Sequence, residues 1–391
     1  MTKQRIFILG STGSIGTQAL EIIAEHPDQF SLTGLSANSS WKMLGEQINA
    51  YRPEFAVLCD KKAEQQLRDF VDHKETELFF GYEALLDLVE GSGVDTVLNS
   101  LVGYSGFKPS VRALNSGKKL ALANKESLVV GGALIKDILE ESGKPENLIP
   151  VDSEHSAMLQ SIVGENRDSI EKIIITASGG PFRNWSWESM QHITVEEALD
   201  HPNWSMGNKI TIDSATMMNK GLEIIEAHWL FGLPPEKLEA VVHPQSIIHS
   251  IVEFIDGSSK AQLGPPDMKV PIQYALSFPD RLSSRVERMD WFKNQELTFQ
   301  SVDYGRFPCL RLALQALESG AFAPAILNAA NEIAVERFLN NEIRYVDIAE
   351  TVEKALNRVQ MEPGTKVTED SLEEADRKTR HMVKNFNYSN H

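Results

Sequence analysis

A closely spaced pair of acidic residues is the first candidate for chemistry in this chain. Asp152 and Glu154 follow an apolar run that ends at Val151, and His155 comes directly after them. Two carboxylates this close at a strand end can reach one hard cation, with His155 as a supporting neighbour or a general base. The alternative is that Asp152 or Ser153 caps a helix and Glu154 lies in its first turn, as acids at helix starts commonly do.

A third carboxylate lies in residues 214–231, which have helical spacing. On one helix Glu223 lies four residues after Asn219 and three after Lys220, so these side chains and Ser214 could converge on one face. Amide and ammonium donors suit a polyol phosphate, and three carboxylates with open positions suit Mg²⁺ or Mn²⁺. The alternative is a solvated amphipathic face with an ordinary Lys–Glu pair.

A glycine-rich segment, GSTGSIG at residues 10–16, follows an apolar strand and opens a helix. Glycines there allow a tight turn and the close approach of backbone to a pyrophosphate at the helix N-terminus. The spacing is one residue longer than the commonest fingerprint, and a turn without a ligand is the alternative. We predict a dinucleotide site.

The end of the second strand favours NADPH over NADH. Sites that prefer NADH usually place an acid there, and residues 31–41 contain none. Ala37, Asn38 and Ser39 do not repel a 2′-phosphate, and Asn38 and Ser39 can donate hydrogen bonds to it.

Two further segments are candidates for substrate contact. Lys125 follows a strand, where it could neutralise a phosphate or an oxyanion, or merely start a helix beside Glu126. Residues 201–209 form a polar loop with Trp204 in its middle. Such a loop can act as a lid over substrate, or Trp204 can pack against its own domain.

The elements that must position these residues indicate an α/β protein. Residues 1–150 alternate strand-like and helical segments, which predicts a Rossmann-like doubly wound parallel sheet. Residues 151–285 predict a central α+β catalytic domain, with a hairpin around residues 256–259. Residues 286–307 form a linker, and residues 308–391 form a C-terminal helical domain that begins at Pro308.

Composition limits the partners. The chain has 391 residues, 55 acidic and 38 basic, for a formal net charge of −17, which argues against nucleic acid and anionic membrane surfaces. The sequence contains no unbroken apolar run of about 18 residues, so we expect no membrane span. Cys59 and Cys309 are the only cysteines, and the N-terminus enters a strand without a targeting peptide. We therefore expect a reducing, cytoplasmic location.

Taken together, these segments resemble the 1-deoxy-D-xylulose 5-phosphate reductoisomerase family of the non-mevalonate isoprenoid pathway. The resemblance spreads over nearly the whole chain in the family's order. Its matching stretches are residues 10–16, 123–126, 151–155, 177–182, 201–209, 213–226, 243–246 and 264–268.

The resemblance implies a role for each matching residue. Asp152, Glu154 and Glu223 would hold the divalent cation, and with Lys125 they would form the catalytic set. The residues in contact with substrate would be Lys125, Ser153, Glu154, Ser178, His201, Trp204, Ser214, Asn219, Lys220 and Glu223, with Ser178, Ser214, Asn219 and Lys220 nearest its phosphate. The NADPH site would be lined by Gly10, Thr12, Gly13, Ser14, Ile15, Ala37, Asn38, Ser39, Asn124, Glu126 and Gly207.

The activity implied is the NADPH- and metal-dependent rearrangement and reduction of 1-deoxy-D-xylulose 5-phosphate to 2-C-methyl-D-erythritol 4-phosphate. The family's usual form is a V-shaped homodimer joined through the central domain. This chain departs from the family at Ala37-Asn38-Ser39, where many members have a glycine and a basic residue before asparagine. The departure bears on the strength of the NADPH preference.

Two other classes of protein compete with this interpretation. A semialdehyde-type NADPH dehydrogenase would need Cys59 or Cys309 as its nucleophile and no carboxylate triad. A non-catalytic dinucleotide sensor would bind the cofactor and have no use for the cation.

Overall fold

A computed structural model describes residues 3–200, 206–293 and 296–386 of the chain. The chain forms two compact units. The first contains residues up to 127, residues 135–156 and residues 267–286; the second contains residues 128–134, residues 157–266 and residues from 287 onward. The domain boundaries given above at residues 150, 285 and 307 stay a prediction.

The first unit is built on a parallel sheet, which within the described residues has seven strands. They are β1 (Gln4–Leu9), β2 (Phe30–Ala37), β3 (Phe55–Leu58), β4 (Glu77–Phe80), β5 (Thr96–Asn99), β6 (Lys119–Leu122) and β7 (Leu148–Pro150). Their order is β4-β3-β2-β1-β5-β6-β7, and each neighbouring pair is parallel. The chain crosses from β4 at one edge to β5 on the other side of β1, so the predicted doubly wound sheet is confirmed.

Burial explains why these segments are strands. Ile6, Phe7, Ile8 and Leu9 are completely buried, as expected for a strand covered by helices on both faces. The helices that cover or connect the strands, in chain order, are α1 (Ser14–Glu25), α2 (Trp41–Tyr51), α3 (Glu64–Phe70), α4 (Tyr82–Gly91), α5 (Phe107–Asn115), α6 (Glu126–Ser142) and α7 (Ser153–Ile162). Residues 128–134 of α6 and 157–162 of α7 belong to the second unit.

The second unit contains a mixed sheet and helices. Its strands are β8 (Ile170–Ala177), β9 (Leu238–Val242), β10 (Ile248–Phe254), β11 (Ser259–Leu263) and β12 (Gln300–Ser301), in the order β11-β10-β8-β9-β12. β8 and β9 are parallel and the other pairs antiparallel. The predicted hairpin is β10 and β11, and the α+β character is confirmed. Its first helices are α8 (Trp187–Met190), α9 (Val195–Leu199), α10 (Asn208–Ala215) and α11 (Met218–Phe231).

The prediction of one helix over residues 214–231 is wrong. α10 ends at Ala215, Met217 has a left-handed φ of 61°, and α11 starts at Met218. The Thr216 hydroxyl explains the break, because it donates to the Ile212 carbonyl and accepts a hydrogen bond from the Met218 N–H at 3.3 Å. Such local side-chain bonds compete with helix continuation. Ser214 therefore lies at the end of one helix, while Asn219, Lys220 and Glu223 lie on the next.

The last part of the chain is helical, as predicted. α12 (Lys269–Ser277) belongs to the first unit, and α13 (Pro308–Ser319), α14 (Ala323–Leu339), α15 (Asp347–Arg358) and α16 (Glu369–Lys384) belong to the second. Pro308 occupies the first helical position, where its missing N–H costs nothing. In the described part of the chain, no helix is both long and apolar enough to span a membrane.

Candidate active site

The glycine-rich turn joins β1 to α1 at the carboxyl edge of the parallel sheet. Gly10 has a φ of +81°, and a Cβ there would lie 2.9 Å from the Ser100 carbonyl oxygen. A Cβ at Gly16 would lie 2.4 Å from the Gly10 carbonyl oxygen, so the fold itself requires both glycines. Gly13 differs, since its φ is −81° and the nearest described atom would be 3.4 Å from its Cβ. Gly13 is the N-cap of α1, a position that favours glycine, and close approach of a ligand is a further reason for a glycine there.

Hydrogen bonds hold this turn in place. The Ser11 hydroxyl donates to Gln47 Oε1 at 2.7 Å, and Gln47 Nε2 donates back to the Ser11 carbonyl at 2.8 Å. The backbone N–H groups of Gly10 and Ser11 both donate to the Ser36 carbonyl at the end of β2. The predicted cofactor contacts on the outer side of this braced turn are half-buried or exposed: Thr12, Gly13, Ser14 and Ile15.

The end of β2 presents neutral donors, as expected. Ala37 is buried, whereas the Asn38 and Ser39 side chains are exposed. The Asn38 carbonyl accepts a hydrogen bond from the Asp60 N–H at 2.8 Å, which ties this loop to the residues after β3. Asn38 and Ser39 are thus available to a ligand at the same sheet edge as the glycine-rich turn.

Asn124 is buried and shapes the loop after β5. Its Nδ2 donates to the carbonyls of Leu101 and Gly103, each at 2.9 Å, and to the Glu126 carboxylate at 3.2 Å. Its Oδ1 accepts from the Ser127 N–H at 3.1 Å. Its side-chain amide is therefore used inside the protein, and its predicted contact with the cofactor stays a prediction.

Lys125 and Asp152 form a close pair in the first unit. The Lys125 ammonium lies 2.7 Å from Asp152 Oδ2, and the side chains are 6% and 11% exposed. Asp152 Oδ1 accepts hydrogen bonds from the Glu154 N–H at 3.2 Å and lies 2.9 Å from His155 Nδ1. Asp152 therefore both caps α7 and pairs with a lysine. The Ser153 hydroxyl donates to the Glu154 carboxylate.

Asp152 is held in its charged form. Burial raises the pKa of its carboxyl, but the Lys125 charge and the hydrogen bond from His155 outweigh burial and hold the pKa well below its usual range. A carboxylate that stays ionised is a competent ligand for a hard cation.

The second unit holds the third carboxylate. Asn219 Nδ2 donates to Glu223 Oε1 at 2.5 Å, and the Lys220 ammonium pairs with Oε2 of the same carboxylate. The Lys220 and Glu223 side chains are 4% and 1% exposed. The predicted convergence of these three residues on one face of a helix is confirmed, and the alternative of a solvated face is wrong.

The segments that carry Ser178 and Ser214 approach each other at a glycine. Gly180 has a φ of +67°, and a Cβ there would lie 2.8 Å from the Ser214 carbonyl oxygen. The Gly180 N–H donates to the Ser178 hydroxyl at 3.3 Å. The loop after β8 therefore packs directly on the end of α10, and the two serines predicted near a phosphate lie on touching segments.

The proposed lid falls largely outside the described residues, which include neither His201 nor Trp204. Gly207 lies at the start of α10, where its carbonyl accepts hydrogen bonds from the Thr211 N–H at 3.1 Å and hydroxyl at 2.9 Å.

Sequence reasoning gave no role to two buried polar residues of the second unit, Asp213 and His249. Asp213 accepts a hydrogen bond from Asn331 at 2.7 Å, and this long-range partner has no local signal. Burial lowers the pKa of His249 to about 4. Hydrogen bonds to the carbonyls of Gly264 and Pro265 favour the charged form, but the effect of burial is larger. The sequence signal for His249 is its position, since it is a titratable side chain within the first strand of the predicted hairpin.

The cysteines do not support the semialdehyde-dehydrogenase alternative. Burial raises the pKa of the Cys59 thiol to about 11. Burial and the nearby charge of Asp213 together raise the pKa of the Cys309 thiol to about 12. Thiols with such pKa values are almost wholly protonated at neutral pH and are poor nucleophiles.

The sheet order and the glycine-rich turn place the chain among α/β proteins of the dinucleotide-binding class. Family profiles cover most of it: 1-deoxy-D-xylulose 5-phosphate reductoisomerase matches residues 6–132, the C-terminal domain of that enzyme matches residues 148–231, and the DXP reductoisomerase C-terminal domain matches residues 263–382. The chain belongs to the 1-deoxy-D-xylulose 5-phosphate reductoisomerase family.

Individual relatives agree over nearly the full length. The 1-deoxy-D-xylulose 5-phosphate reductoisomerase of Chloroherpeton thalassium is 50% identical over 380 residues, covering 97% of each chain. The Zymomonas mobilis enzyme in complex with NADPH is 42% identical, with a TM-score of 0.90 and 98% of each chain covered. A DOX-P reductoisomerase in complex with NADPH, fosmidomycin and magnesium is 38% identical, with a TM-score of 0.92 and 97% of each chain covered.

Proposed function

We propose that this chain catalyses the NADPH- and divalent-metal-dependent rearrangement and reduction of 1-deoxy-D-xylulose 5-phosphate to 2-C-methyl-D-erythritol 4-phosphate, a step in isoprenoid precursor biosynthesis. The observation that carries the proposal is the near full-length match to enzymes of this one activity, at about 50% identity. The chain is an oxidoreductase and isomerase that uses NADPH and magnesium. Manganese is the alternative ion.

NADPH binds at the carboxyl edge of the parallel sheet in this proposal. The pyrophosphate lies on the N-terminus of α1, where Gly13 allows close backbone approach and the N–H groups of the first helical turn, which have no side-chain cap, can donate. Asn38 and Ser39 face the adenosine 2′-phosphate at the end of β2. Glu126, Asn124 and Gly207 complete the proposed cofactor contacts.

The divalent cation is held by Asp152, Glu154 and Glu223 in this proposal, and the donor set suits it. Asp152 and Glu223 are little exposed, and each is paired within its own unit with a lysine, Lys125 or Lys220. Buried carboxylates need compensating positive charge, and hard divalent ions prefer carboxylate oxygens.

The substrate phosphate is held by residues of the second unit. Ser178 and Ser214 offer hydroxyls from touching segments, and α11 contributes Asn219 and Lys220. This local positive charge offsets the strongly acidic overall balance of the chain for an anionic substrate. Lys125 and Ser153 are proposed to contact the other end of the substrate, and His201 and Trp204 to cover it.

The chemistry divides between the bound groups and the protein's own residues. When bound, the cation supplies Lewis acidity to the ketone and its neighbouring hydroxyl, and NADPH supplies the hydride that reduces the branched aldehyde. The Lys125 ammonium stabilises the oxyanion that develops as the carbon skeleton cleaves and recombines. Anchoring of the phosphate by Lys220 keeps the fragments in register, and a closed lid excludes water.

Two further features complete the proposal. A homodimer is supported by the exposed aromatic side chains that precede β12, among them Trp291 and Phe292, because aromatic residues are enriched at protein interfaces relative to the rest of the surface. Light scattering should give the mass of two chains in solution, and the mass of one chain would contradict the proposed dimer.

A cytoplasmic location is supported by the free thiols of Cys59 and Cys309.

Product analysis tests the function directly. Incubation of the enzyme with 1-deoxy-D-xylulose 5-phosphate, NADPH and Mg²⁺ should give 2-C-methyl-D-erythritol 4-phosphate, identified by NMR, with one NADPH oxidised per product. NADPH oxidation with any other product would overturn the assignment.

A further inference from the structure

Two buried hydrogen bonds join the C-terminal helices to the segment around Ser214. Asn331 of α14 donates from Nδ2 to Asp213 Oδ1 at 2.7 Å. Tyr345, which lies before α15, donates from its hydroxyl to the Ala215 carbonyl at 2.6 Å. Asp213 and Ala215 are the two chain neighbours of Ser214, so one bond holds the side chain before Ser214 and the other holds the backbone carbonyl after it.

Asp213 is the centre of the first connection. Its side chain is 1% exposed, and its Oδ2 lies 2.8 Å from the Lys209 ammonium. A buried carboxylate needs both a compensating charge and hydrogen-bond donors, so loss of one of them is costly. Asn331 is the donor that α14 supplies, and it is completely buried.

Tyr345 contacts the second serine segment as well. Its ring packs edge-on against Phe182, with centroids 5.4 Å apart, and Phe182 follows the Ser178 loop. Gly180 of that loop already packs against the Ser214 carbonyl. One aromatic residue therefore supports both segments that carry the proposed phosphate-binding serines.

We propose that Asn331, assisted by Tyr345, is a positioning residue for substrate phosphate. It acts through Asp213, and it keeps Ser214 and the break between α10 and α11 in the geometry that binds the phosphate. The inference rests on the proposed function, because that function places the phosphate at Ser178, Ser214, Asn219 and Lys220.

The chain offers a matched control in Asn328. It lies three residues earlier on α14 and is equally buried, but its Nδ2 donates to Glu332 on the same helix at 2.9 Å. In the described residues, the Oδ1 atoms of Asn328 and Asn331 both lack a hydrogen-bond partner. Asn328→Ala and Asn331→Ala each remove one buried side-chain amide, and only the second removes a hydrogen-bond donor to Asp213.

The test measures the KM for 1-deoxy-D-xylulose 5-phosphate, kcat, the inhibition constant of inorganic phosphate and the Kd for NADPH. In Asn331→Ala we expect the KM and the phosphate constant to rise roughly tenfold, the loss expected for one hydrogen bond to a charged group. We expect kcat to change less than about twofold and the NADPH Kd to stay constant, since one ground-state contact is lost. In Asn328→Ala all four constants should match the wild type, even where thermal stability falls.

Equal KM and phosphate constants in the two variants would overturn the inference, because α14 would then matter only for stability. Should Asn331→Ala not fold, Tyr345→Phe removes a single hydroxyl, and it should raise the same two constants by about twofold to threefold; unchanged constants in that variant would equally overturn it. Failure of the proposed function is distinguishable, because it would show as absence of turnover in the wild type.

Discussion

Two alanine substitutions in one turn separate what the fold requires from what the cofactor requires. Gly13→Ala and Gly16→Ala add the same methyl group three residues apart, between β1 and α1. At Gly16 the new Cβ would lie 2.4 Å from the Gly10 carbonyl oxygen and 2.5 Å from the Ser11 Cα. At Gly13 the nearest described atom would be 3.4 Å away, an ordinary contact.

The magnitudes follow from these distances. Gly16→Ala forces backbone to shift by about 1 Å, and overpacking of this kind costs roughly 1–3 kcal/mol of unfolding free energy. Gly13 has φ −81° and ψ 173°, which alanine adopts freely, but it is the N-cap of α1, where alanine is less favoured than glycine. Because these two effects oppose each other, Gly13→Ala should change the free energy of unfolding by less than about 1 kcal/mol. It should nevertheless weaken NADPH binding roughly 10- to 100-fold, since a methyl group there blocks a charge-assisted bond from backbone to pyrophosphate.

The assay pairs calorimetric unfolding with a fluorescence titration of NADPH for each variant. We expect Gly13→Ala to keep the wild-type melting temperature and to lose affinity, and Gly16→Ala to lose stability. An NADPH Kd for Gly13→Ala within twofold of wild type would refute the placement of the pyrophosphate on this turn. A Gly13→Ala variant that melts several degrees lower would show that the fold also needs this glycine.

Three further predictions concern the metal, the cofactor and pH. Glu223→Gln and, separately, Asp152→Asn should lower kcat at least roughly hundredfold while leaving the NADPH Kd unchanged, because they remove ligands of the cation; retained turnover would instead fit a sensor with no use for a metal. Asn38→Asp should lower the NADPH-to-NADH ratio of kcat/KM at least about tenfold through repulsion of the 2′-phosphate, and a constant ratio in steady-state assays would contradict this site. Burial, together with nearby cationic groups that include Lys220, holds the pKa of His249 at about 4 in the folded state against 6.5 ordinarily. The stability that the neutral form of His249 contributes is complete above pH 6.5 and is lost as pH falls towards 4. Between pH 7 and pH 5, the free energy of unfolding measured in urea should therefore fall by roughly 2 kcal/mol more in the wild type than in His249→Gln. Equal losses in the two proteins would contradict the assignment.

Most of the fold was predictable because the signals are local. The strands at the centre of the parallel sheet are continuous apolar runs, and β3 is one of them, with all four residues apolar and buried. β4 (Glu77–Phe80) is harder to recognise from the sequence. It lies at the edge of the sheet, pairs with one neighbour and is only half-buried, so its sequence lacks a fully buried pattern.

The break between α10 and α11 shows where local reasoning fails. Residues 214–231 have helical spacing throughout, and Thr216 with Met217 gives only a weak sign of interruption. The Ala215 carbonyl is taken by Tyr345, 130 residues away in the chain. A partner so distant leaves no trace in the periodicity of the segment itself.

The site divides in the same way. Residue types and spacing were enough to select Lys125, Asp152 and Glu223, because carboxylates and lysines at sheet edges and on one helix face have a definite chemistry. Asp213 could not be assigned a role, since its buried partner Asn331 lies 118 residues later in the chain. Sequence motifs indicate candidate ligand-binding groups, whereas the residues that pack behind those groups emerge only from the structure.

The most direct test of the central claim is NADPH oxidation, followed by absorbance, with 1-deoxy-D-xylulose 5-phosphate and either Mg²⁺, Mn²⁺ or excess chelator. We predict oxidation that requires both the sugar phosphate and a divalent cation, stops with the chelator and is slower with NADH. A folded protein that binds NADPH but does not oxidise it under any of these conditions would contradict the proposed reaction.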